Sequence, residues 1–278
     1  MTELTAQDIE QEVSDWWRTE VIEMAPGQIR FRGYAIEDLI GNVGFAQMVW
    51  LMLRGELPSK GQADLLEAAL VAGVDHGPQA PSIAIARMAA TCGVGLNNAM
   101  ASAMNVLGDV HGGAGEQALE LYGAVLTDRR EGESIEIAAD RTLGAFFAKG
   151  NKFAPGFGHR FHPVDPRAPR LLELVEKAAS ANVVTGHFAQ AVKAIEASIE
   201  RRKNRHVPIN IDGATAVIYG ELGFPAPLAR GLFCLSRSVG ILAHAWEQSL
   251  QGGRNKGPLP RRMIWTYGGL AARRLPEG

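Results

Sequence analysis

The sequence predicts an all-α fold with one short N-terminal β-hairpin, on three observations. Apolar residues recur at helical spacing through most of the 278 residues. Glycine and proline interrupt those runs at 108–115, 154–158, 163–169, 223–227 and 252–260, where helices stop. The one persuasive strand signal is Glu20-Val21-Ile22-Glu23, then Pro26-Gly27, then Gln28-Ile29-Arg30-Phe31-Arg32, which reads as a hairpin. Average globular chains carry ~20–25% strand, so this chain lies far on the helical side.

The elements follow in order. The first residues, MTELTAQDIEQEVSDWW, are acidic and amphipathic, unlike a secretory leader. Phe45 to Leu53 is an apolar helix stopped at Gly55, with Pro58 just beyond. Further helices are expected over 60–72, 82–92, 95–107, 114–127, 133–149, 168–180, 184–203, 213–222 and 227–248. The most apolar region, 81–107, is broken by Arg87, Asn97 and Asn98, so a buried helix pair is expected there and no membrane span. No internal repeat or low-complexity linker is present.

Hydrophobic content of 46% and charged content of 21% are ordinary for a globular protein. A net charge of −2 gives no electrostatic footprint for nucleic acid. Basic residues cluster at Arg201-Arg202-Lys203-Asn204-Arg205-His206 and at Arg261-Arg262. A solvated helix end and a surface tail are the default for such runs, and a small polyanionic ligand is the sharper alternative. Cys92 and Cys234 lie in apolar stretches without metal spacing and read as buried free thiols in a reducing compartment. A cytoplasmic location is expected.

Candidate chemistry collects in the breaks between helices. Gly156-Phe157-Gly158-His159-Arg160 presents an imidazole from a flexible glycine run, and Arg167 follows behind the stiff Asp165-Pro166 turn. An imidazole exchanges a proton near neutral pH, and a guanidinium clamps a carboxylate with parallel hydrogen bonds, which suggests proton transfer on a carboxylate-bearing substrate. His111, in Gly108-Asp109-Val110-His111-Gly112-Gly113-Ala114-Gly115-Glu116, precedes a predicted helix whose positive end favours the neutral ring. It reads either as a capping histidine in a glycine turn or as a neutral donor to a carbonyl. Asp212, in Asn210-Ile211-Asp212-Gly213, reads either as the N-cap of the next helix or as a base. His76, in Asp75-His76-Gly77-Pro78, reads on its own as an ordinary turn residue. His244 falls in mid-helix and reads as a packing residue, while His162, His187 and His206 read as surface positions. None of these spacings makes a metal set, and no P-loop pattern is present.

Taken together and in order, these segments resemble the citrate synthase family across nearly the whole chain. Gly27 to Tyr34 with Gly55-Glu56-Leu57-Pro58 resembles its N-terminal signature. Asp75-His76, Gly108 to Glu116, Pro155 to Arg160 with Asp165 to Ala168, Asn210 to Gly213 and Gly240 to Gln248 follow in the family's order. The resemblance implies a citrate synthase-like fold: a large helical domain from residues 1–112 and 225–278, with a small helical domain at 113–224. The active site would lie in the cleft, His111 at its large-domain edge, His159 and Asp212 on the small domain. It implies that His111 hydrogen-bonds the thioester carbonyl of acetyl-CoA, that Asp212 removes the methyl proton, and that His159 donates to the keto oxygen of oxaloacetate. His76 and Arg167 match positions that hold the oxaloacetate or citrate part, and Arg254, Arg261 and Arg262 are candidates for the remaining carboxylates. Lys152, Phe157, Gly158 and Arg160 are the expected coenzyme A contacts. No tightly bound cofactor and no metal is implied, because the coenzyme A thioester is a substrate. A homodimer or higher even oligomer is implied, with neither a nucleic acid nor a membrane as partner.

The chain also departs from ordinary citrate synthases. Sixteen residues separate Pro58 from Asp75, where those enzymes insert a long run of helices, and the interval from His159 to Arg167 is one residue shorter than their common pattern. This compact form is closer to citryl-CoA lyases and to the C-terminal module of ATP-citrate lyase, which run the reaction from citryl-CoA to acetyl-CoA and oxaloacetate. His111 points the other way, since that module lacks a histidine there. A citryl-CoA lyase-like enzyme is therefore the leading expectation. A compact citrate synthase is the alternative, and a non-catalytic coenzyme A- or citrate-binding module is the third.

Overall fold

The hairpin forms where Pro26-Gly27 permits it. In the computed structural model, which describes residues 5–260 and 262–276, β1 (Ile22–Ala25) pairs antiparallel with β2 (Gln28–Phe31). Pro26 pre-sets the first turn position and Gly27 supplies φ +76° at the second. A third strand, β3 (Tyr34–Ala35), extends the expected hairpin through a turn in which Arg32 and Gly33 both take positive φ. Two residues are too few for an alternating pattern to announce that strand. A first helix, α1 (Ala6–Asp15), precedes the sheet, and the single turn α2 (Ile36–Leu39) follows it.

Every expected helix is present, with its ends displaced by a few residues. They are α3 (Phe45–Arg54), α4 (Lys60–Gly73), α5 (Pro81–Ala90), α6 (Leu96–Met104), α7 (Ala114–Thr127), α8 (Ile135–Ala148), α9 (Arg167–Ser180), α10 (His187–Lys203), α11 (Ile211–Glu221) and α12 (Ala226–Gln251). The ends follow local chemistry. Gly55, at φ +88°, closes α3 by donating its N–H to Leu51, and Ser134 Oγ accepts from the Ile137 amide to open α8.

Contacts divide the chain into two units, residues 1–72 with 114–232, and residues 73–113 with 233–278. In the first, α11 is buried on nearly every side, Gly213 to Gly220 without a break, among α7, α9 and α10. A helix that is apolar all round belongs in an interior; half-buried Asp212 and Glu221 mark its two ends. Glu221, at the far end of α11, accepts from the amides of Gly186, Phe188 and Ala189 and from Thr185 Oγ1, so it closes the open N-terminus of α10. In the second unit, α5 and α6 form the expected helix pair and pack Ile83, Ala86, Ala99 and Ala103 against Ile241 and Ala245 of α12. By length and composition α12 would also cross a membrane; here it contributes Ala229 and Leu232 to the first core and Ile241 and Ala245 to the second.

The two thiols depart from expectation. Cys92 is exposed and Cys234 half-buried, because Cys92 lies in the turn beyond the end of α5, where the apolar run has already left the core.

Glu221→Ala should cost about 1–2 kcal/mol, since it removes the acceptor of an entire helix N-terminus. Urea unfolding of the variant beside the parent protein measures this.

Candidate active site

In the first unit, two segments 50 residues apart in sequence are joined edge to edge. The Gly158 amide donates to Pro208 O at 2.8 Å, the Asn210 amide to Gly156 O at 2.9 Å, and Asn210 Nδ2 to Gly158 O at 2.6 Å. Phe157 and Ile209 face each other in an isolated antiparallel bridge. Glycine makes the approach possible. A Cβ on Gly156, which has φ +83°, would lie 2.7 Å from both Gly213 Cα and Tyr122 Oη, and a Cβ on Gly213 would strike Gly156 O. The His159 loop is thus fixed beside the N-terminus of α11. The cap of that helix is Asn210, whose Oδ1 accepts from the amides of Asp212 at 3.0 Å and Gly213 at 3.2 Å. Capping, one of the two readings of Asp212, is therefore done by another residue, and the Asp212 side chain stands in the first turn of a buried helix.

Asp165 ties this corner together. Its carboxylate, 1% exposed, takes two side-chain bonds from Arg167 at 2.9 Å each, the Arg167 amide at 3.1 Å and the Ile211 amide at 3.1 Å. Burial by itself would raise its pKa. The Arg167 and Ile211 donors outweigh burial and hold the carboxyl below its ordinary value. His159 Nε2 stands 4.0 Å from Asp165 Oδ2, while Nδ1 accepts from the amides of both Phe161 and His162 at 3.1 Å. A nitrogen that accepts two N–H bonds carries no proton, so the proton of the neutral ring is on Nε2. Burial lowers the His159 pKa, Asp165 raises it, and His162 and Arg167 lower it further; the net shift is downward.

Beside this corner lies a groove of about 480 Å³ lined by Phe157, Gly158 and Arg160, together with Phe153, Lys203 and Arg205. Lys203 Nζ sits 5.6 Å from the Phe153 ring centre. Of the four expected coenzyme A contacts, Phe157, Gly158 and Arg160 line the groove and the exposed Lys152 does not. The expected set omitted Lys203 and Arg205, although the run Arg201 to His206 carried the signal. Arg201 and Arg202 pair with Asp140, and the other two cations of that run face the groove.

In the second unit, His111 is held by the start of α5. The Ser82 amide donates to its Nε2 at 3.2 Å, and Ser82 Oγ lies 3.0 Å from the same nitrogen. The neutral ring therefore carries its proton on Nδ1. Burial first, then the positive charge of Arg237, lowers the His111 pKa. The ring is neutral, as the sequence suggested, but the helix end in contact with it is that of α5. Arg237 is buried at 5% exposure, donates from Nε to Gly73 O at 3.1 Å and lies 4.7 Å from the Phe233 ring centre. Sequence reasoning passed over this cation because it sits inside the apolar run of α12. His76 is exposed on the turn after α4. Arg254 and Arg262 are exposed in the C-terminal segment, and Arg261 lies outside the described residues. Among the described residues no group of three or more His, Cys, Asp or Glu is placed to hold a metal ion.

Residues 10–64 and 58–261 match the family described as Citrate synthase, C-terminal domain. Among curated proteins, a citrate synthase of Haloferax volcanii is 33% identical over 200 residues, 71% of this chain and 49% of that one. A citrate synthase of Acidithiobacillus ferridurans is 28% identical over 73% of this chain and 51% of its own. The chain spans about half the length of these curated relatives. Among solved structures, a citryl-CoA lyase from Hydrogenobacter thermophilus is 32% identical with TM-score 0.82, covering 94% of this chain and 97% of that one. The fold is shared with an ATP citrate lyase from Methanothrix soehngenii, solved with citrate and coenzyme A, at 19% identity and TM-score 0.77 over 94% of this chain and 44% of that one.

Asp165→Asn should destabilise the protein by about 2 kcal/mol at pH 7. That is less than the ~3–5 kcal/mol of a wholly buried broken pair, because Arg167 keeps 26% of its side chain in solvent. Since the folded-state pKa of Asp165 is depressed, its contribution is complete above the ordinary carboxylate value and fades as pH falls through the folded value. Urea unfolding of both proteins between pH 7 and pH 2 should show the gap closing at the acid end.

Proposed function

We propose that this chain, which belongs to the citrate synthase family, is an enzyme that cleaves citryl-CoA to acetyl-CoA and oxaloacetate. The observation that carries the direction is mutual coverage. The chain and the Hydrogenobacter thermophilus citryl-CoA lyase cover 94% and 97% of each other, whereas this chain spans only about half of the curated citrate synthases. The compact form supports the same reading: sixteen residues between Pro58 and Asp75 leave no room for an added run of helices.

The residues take these parts. In cleavage, the bond between the carbinol carbon and the acetyl carbon breaks, and its electron pair passes into the thioester as an enolate. His111, neutral with Nδ1–H, donates to the enolate oxygen, and the protonated carboxyl of Asp212 delivers a proton to the acetyl carbon. His159 presents Nε2–H to the oxygen that becomes the keto group. Its Nδ1 is committed to two amides, so it works as a fixed donor, and the hydroxyl proton leaves to water and not onto the ring. One proton thus leaves oxygen and one arrives at carbon. Arg167, oriented by Asp165, and His76 hold carboxylates of the citryl part, with Arg254, Arg261 and Arg262 as further carboxylate partners. The groove beside Phe157, Gly158 and Arg160, with Lys203 and Arg205, takes the phosphates of coenzyme A, and Lys152 stands close by in sequence. Every step reverses under the same donors, so a condensing citrate synthase is the second reading, favoured by the retained His111.

The test offers the protein citryl-CoA, and separately acetyl-CoA with oxaloacetate, while free thiol and oxaloacetate are followed. Oxaloacetate should appear from citryl-CoA without thiol release. Prompt thiol release from acetyl-CoA and oxaloacetate overturns the lyase reading in favour of the synthase. Asp212→Asn should lose at least ~10²-fold in turnover, and an unaffected rate removes the base assignment.

The donor role of His159 gives a separate outcome. His159→Ala should lose ~10²–10³-fold in kcat, as for a missing oxyanion donor. His159→Gln, whose amide N–H can stand where Nε2–H stood, should recover most of that loss. Equal loss in both variants marks a proton-transfer role instead.

A further inference from the structure

The loop that carries His76 is fastened by a chain of close polar contacts that ends on two residues without an assigned role, His244 and Arg87. Gly73, Val74 and Asp75 are held in succession by one face of α12. Arg237 Nε donates to Gly73 O at 3.1 Å, the Gly240 amide to Val74 O at 3.2 Å, and His244 Nε2 lies 3.3 Å from Asp75 Oδ1. Residues 237, 240 and 244 are three and four apart, the spacing of neighbours on one helical face. Gly240 is required there, since a Cβ would collide with Val74 O.

Asp75 passes the constraint to the turn beyond it. Its Oδ2 accepts the Gly77 amide at 3.0 Å. Burial would raise the Asp75 pKa, but the Gly77 amide, His244 and the His76 amide outweigh it and hold the carboxylate charged. On the other side of His244, Arg87 Nη1 lies 3.0 Å from Nδ1. A guanidinium only donates, so Nδ1 must accept, and the ring proton is forced onto Nε2, the nitrogen that faces Asp75. Arg87 is itself anchored, by Glu247 through Nη1 and by Gln251 Oε1 through Nη2 at 2.7 Å. His244 and Arg87 keep only 18% and 16% of their side chains in solvent.

We propose that His244 and Arg87 are positioning residues: Arg87 fixes the His244 tautomer, His244 aims its N–H at Asp75, and Asp75 sets the turn from which His76 meets the substrate. The inference rests on the proposed function insofar as His76 holds the four-carbon part of the substrate. Neither residue touches the substrate, so the effect is selective. Binding of oxaloacetate suffers, and binding of the coenzyme A thioester does not.

The experiment uses the whole chain and the variants His244→Phe, His244→Gln and Arg87→Met. In the condensing direction, His244→Phe should raise KM for oxaloacetate about tenfold, the size expected for one lost hydrogen bond to a charged group. KM for acetyl-CoA should stay within about twofold. His244→Gln, which keeps a donor near the Nε2 position, should restore most of the oxaloacetate KM. Nitrogen-15 spectra of the parent should show His244 protonated on Nε2 alone, and Arg87→Met should give a mixture of tautomers. Hydrogen exchange of the Gly77 amide should quicken in His244→Phe and in Arg87→Met. A fall in Tm with unchanged oxaloacetate KM and unchanged Gly77 exchange overturns the proposal, and so does an equal rise of both KM values. Absence of turnover in the parent protein refutes the functional reading alone; the tautomer and the Gly77 exchange then decide the relay, and no change in either variant sinks it. If His244→Phe does not fold, Arg87→Met supplies the same readouts.

Discussion

The chemistry proposed for the first unit depends on a close backbone approach, that of Gly156 to Gly213. No side chain can stand at either position without displacing the other strand of chain or the buried Tyr122 hydroxyl. Once that contact is made, Gly158 can reach Pro208 and Asn210 can reach both Gly156 and Gly158. Asn210 is then in place to cap α11, so the cap and the loop are ordered by the same residue. His159 leaves one side of the junction and Asp212 leaves the other. The buried carboxylate of Asp165 spans them, taking the Ile211 amide on one side and facing the His159 ring on the other. Two residues distant in sequence are thereby given one rigid frame, which is what positional catalysis demands.

A second constraint recurs in both units, and it concerns protons. Each of the three half-buried histidines offers one nitrogen to a group that can only donate. His159 Nδ1 receives two amides, His111 Nε2 receives the Ser82 amide, and His244 Nδ1 receives Arg87. In each ring the other nitrogen is thereby the one that carries an N–H, and the pKa values of His111 and His159 are pushed down. The result is a set of aimed N–H donors near neutrality, preorganised and without a mobile charge of their own. Such donors stabilise a developing oxyanion because they need no reorientation when charge appears.

Much of this was legible in the sequence, and the reasons differ by residue. The helices were legible because burial imposes a 3.6-residue period and glycine or proline ends it, as at Gly55 and Pro58. The glycine-flanked His159 and the Asn210 to Gly213 segment were legible because close backbone approach leaves glycine behind. The strand Tyr34–Ala35 was not, being shorter than any period. Asp212 was open between cap and base because one sequence cannot say which of Asn210 and Asp212 caps the helix; the hydrogen bonds onto Asn210 Oδ1 decide that. Arg237 and His244 were hidden for a different reason. Both lie within an apolar helical run, where a polar residue reads as an interruption, and their partners Gly73 and Asp75 are more than 160 positions away. Cys92 was misjudged because apolar neighbours in sequence are not neighbours in space at a helix end.

The state of His111 also bears on the direction of the proposed reaction. A donor set fixed in space lowers the barrier to carbon–carbon bond making and breaking alike, so it cannot by itself choose between them. A synthase differs in one further step, attack of water on the thioester carbonyl, and that step benefits from a base beside the carbonyl. In the proposed reading the residue at that carbonyl is His111. Its Nε2 is occupied by the Ser82 amide and hydroxyl, and its Nδ1 already bears the proton. The ring could accept a proton from water only by giving up the Ser82 amide and becoming a cation next to the buried Arg237, which lowers its pKa. The arrangement that makes His111 a good donor to an enolate therefore makes it a poor base for hydrolysis. The presence of His111 favours the synthase reading, whereas its bonded state offers no base for hydrolysis, so the proposed direction rests on the compact length of the chain and not on His111.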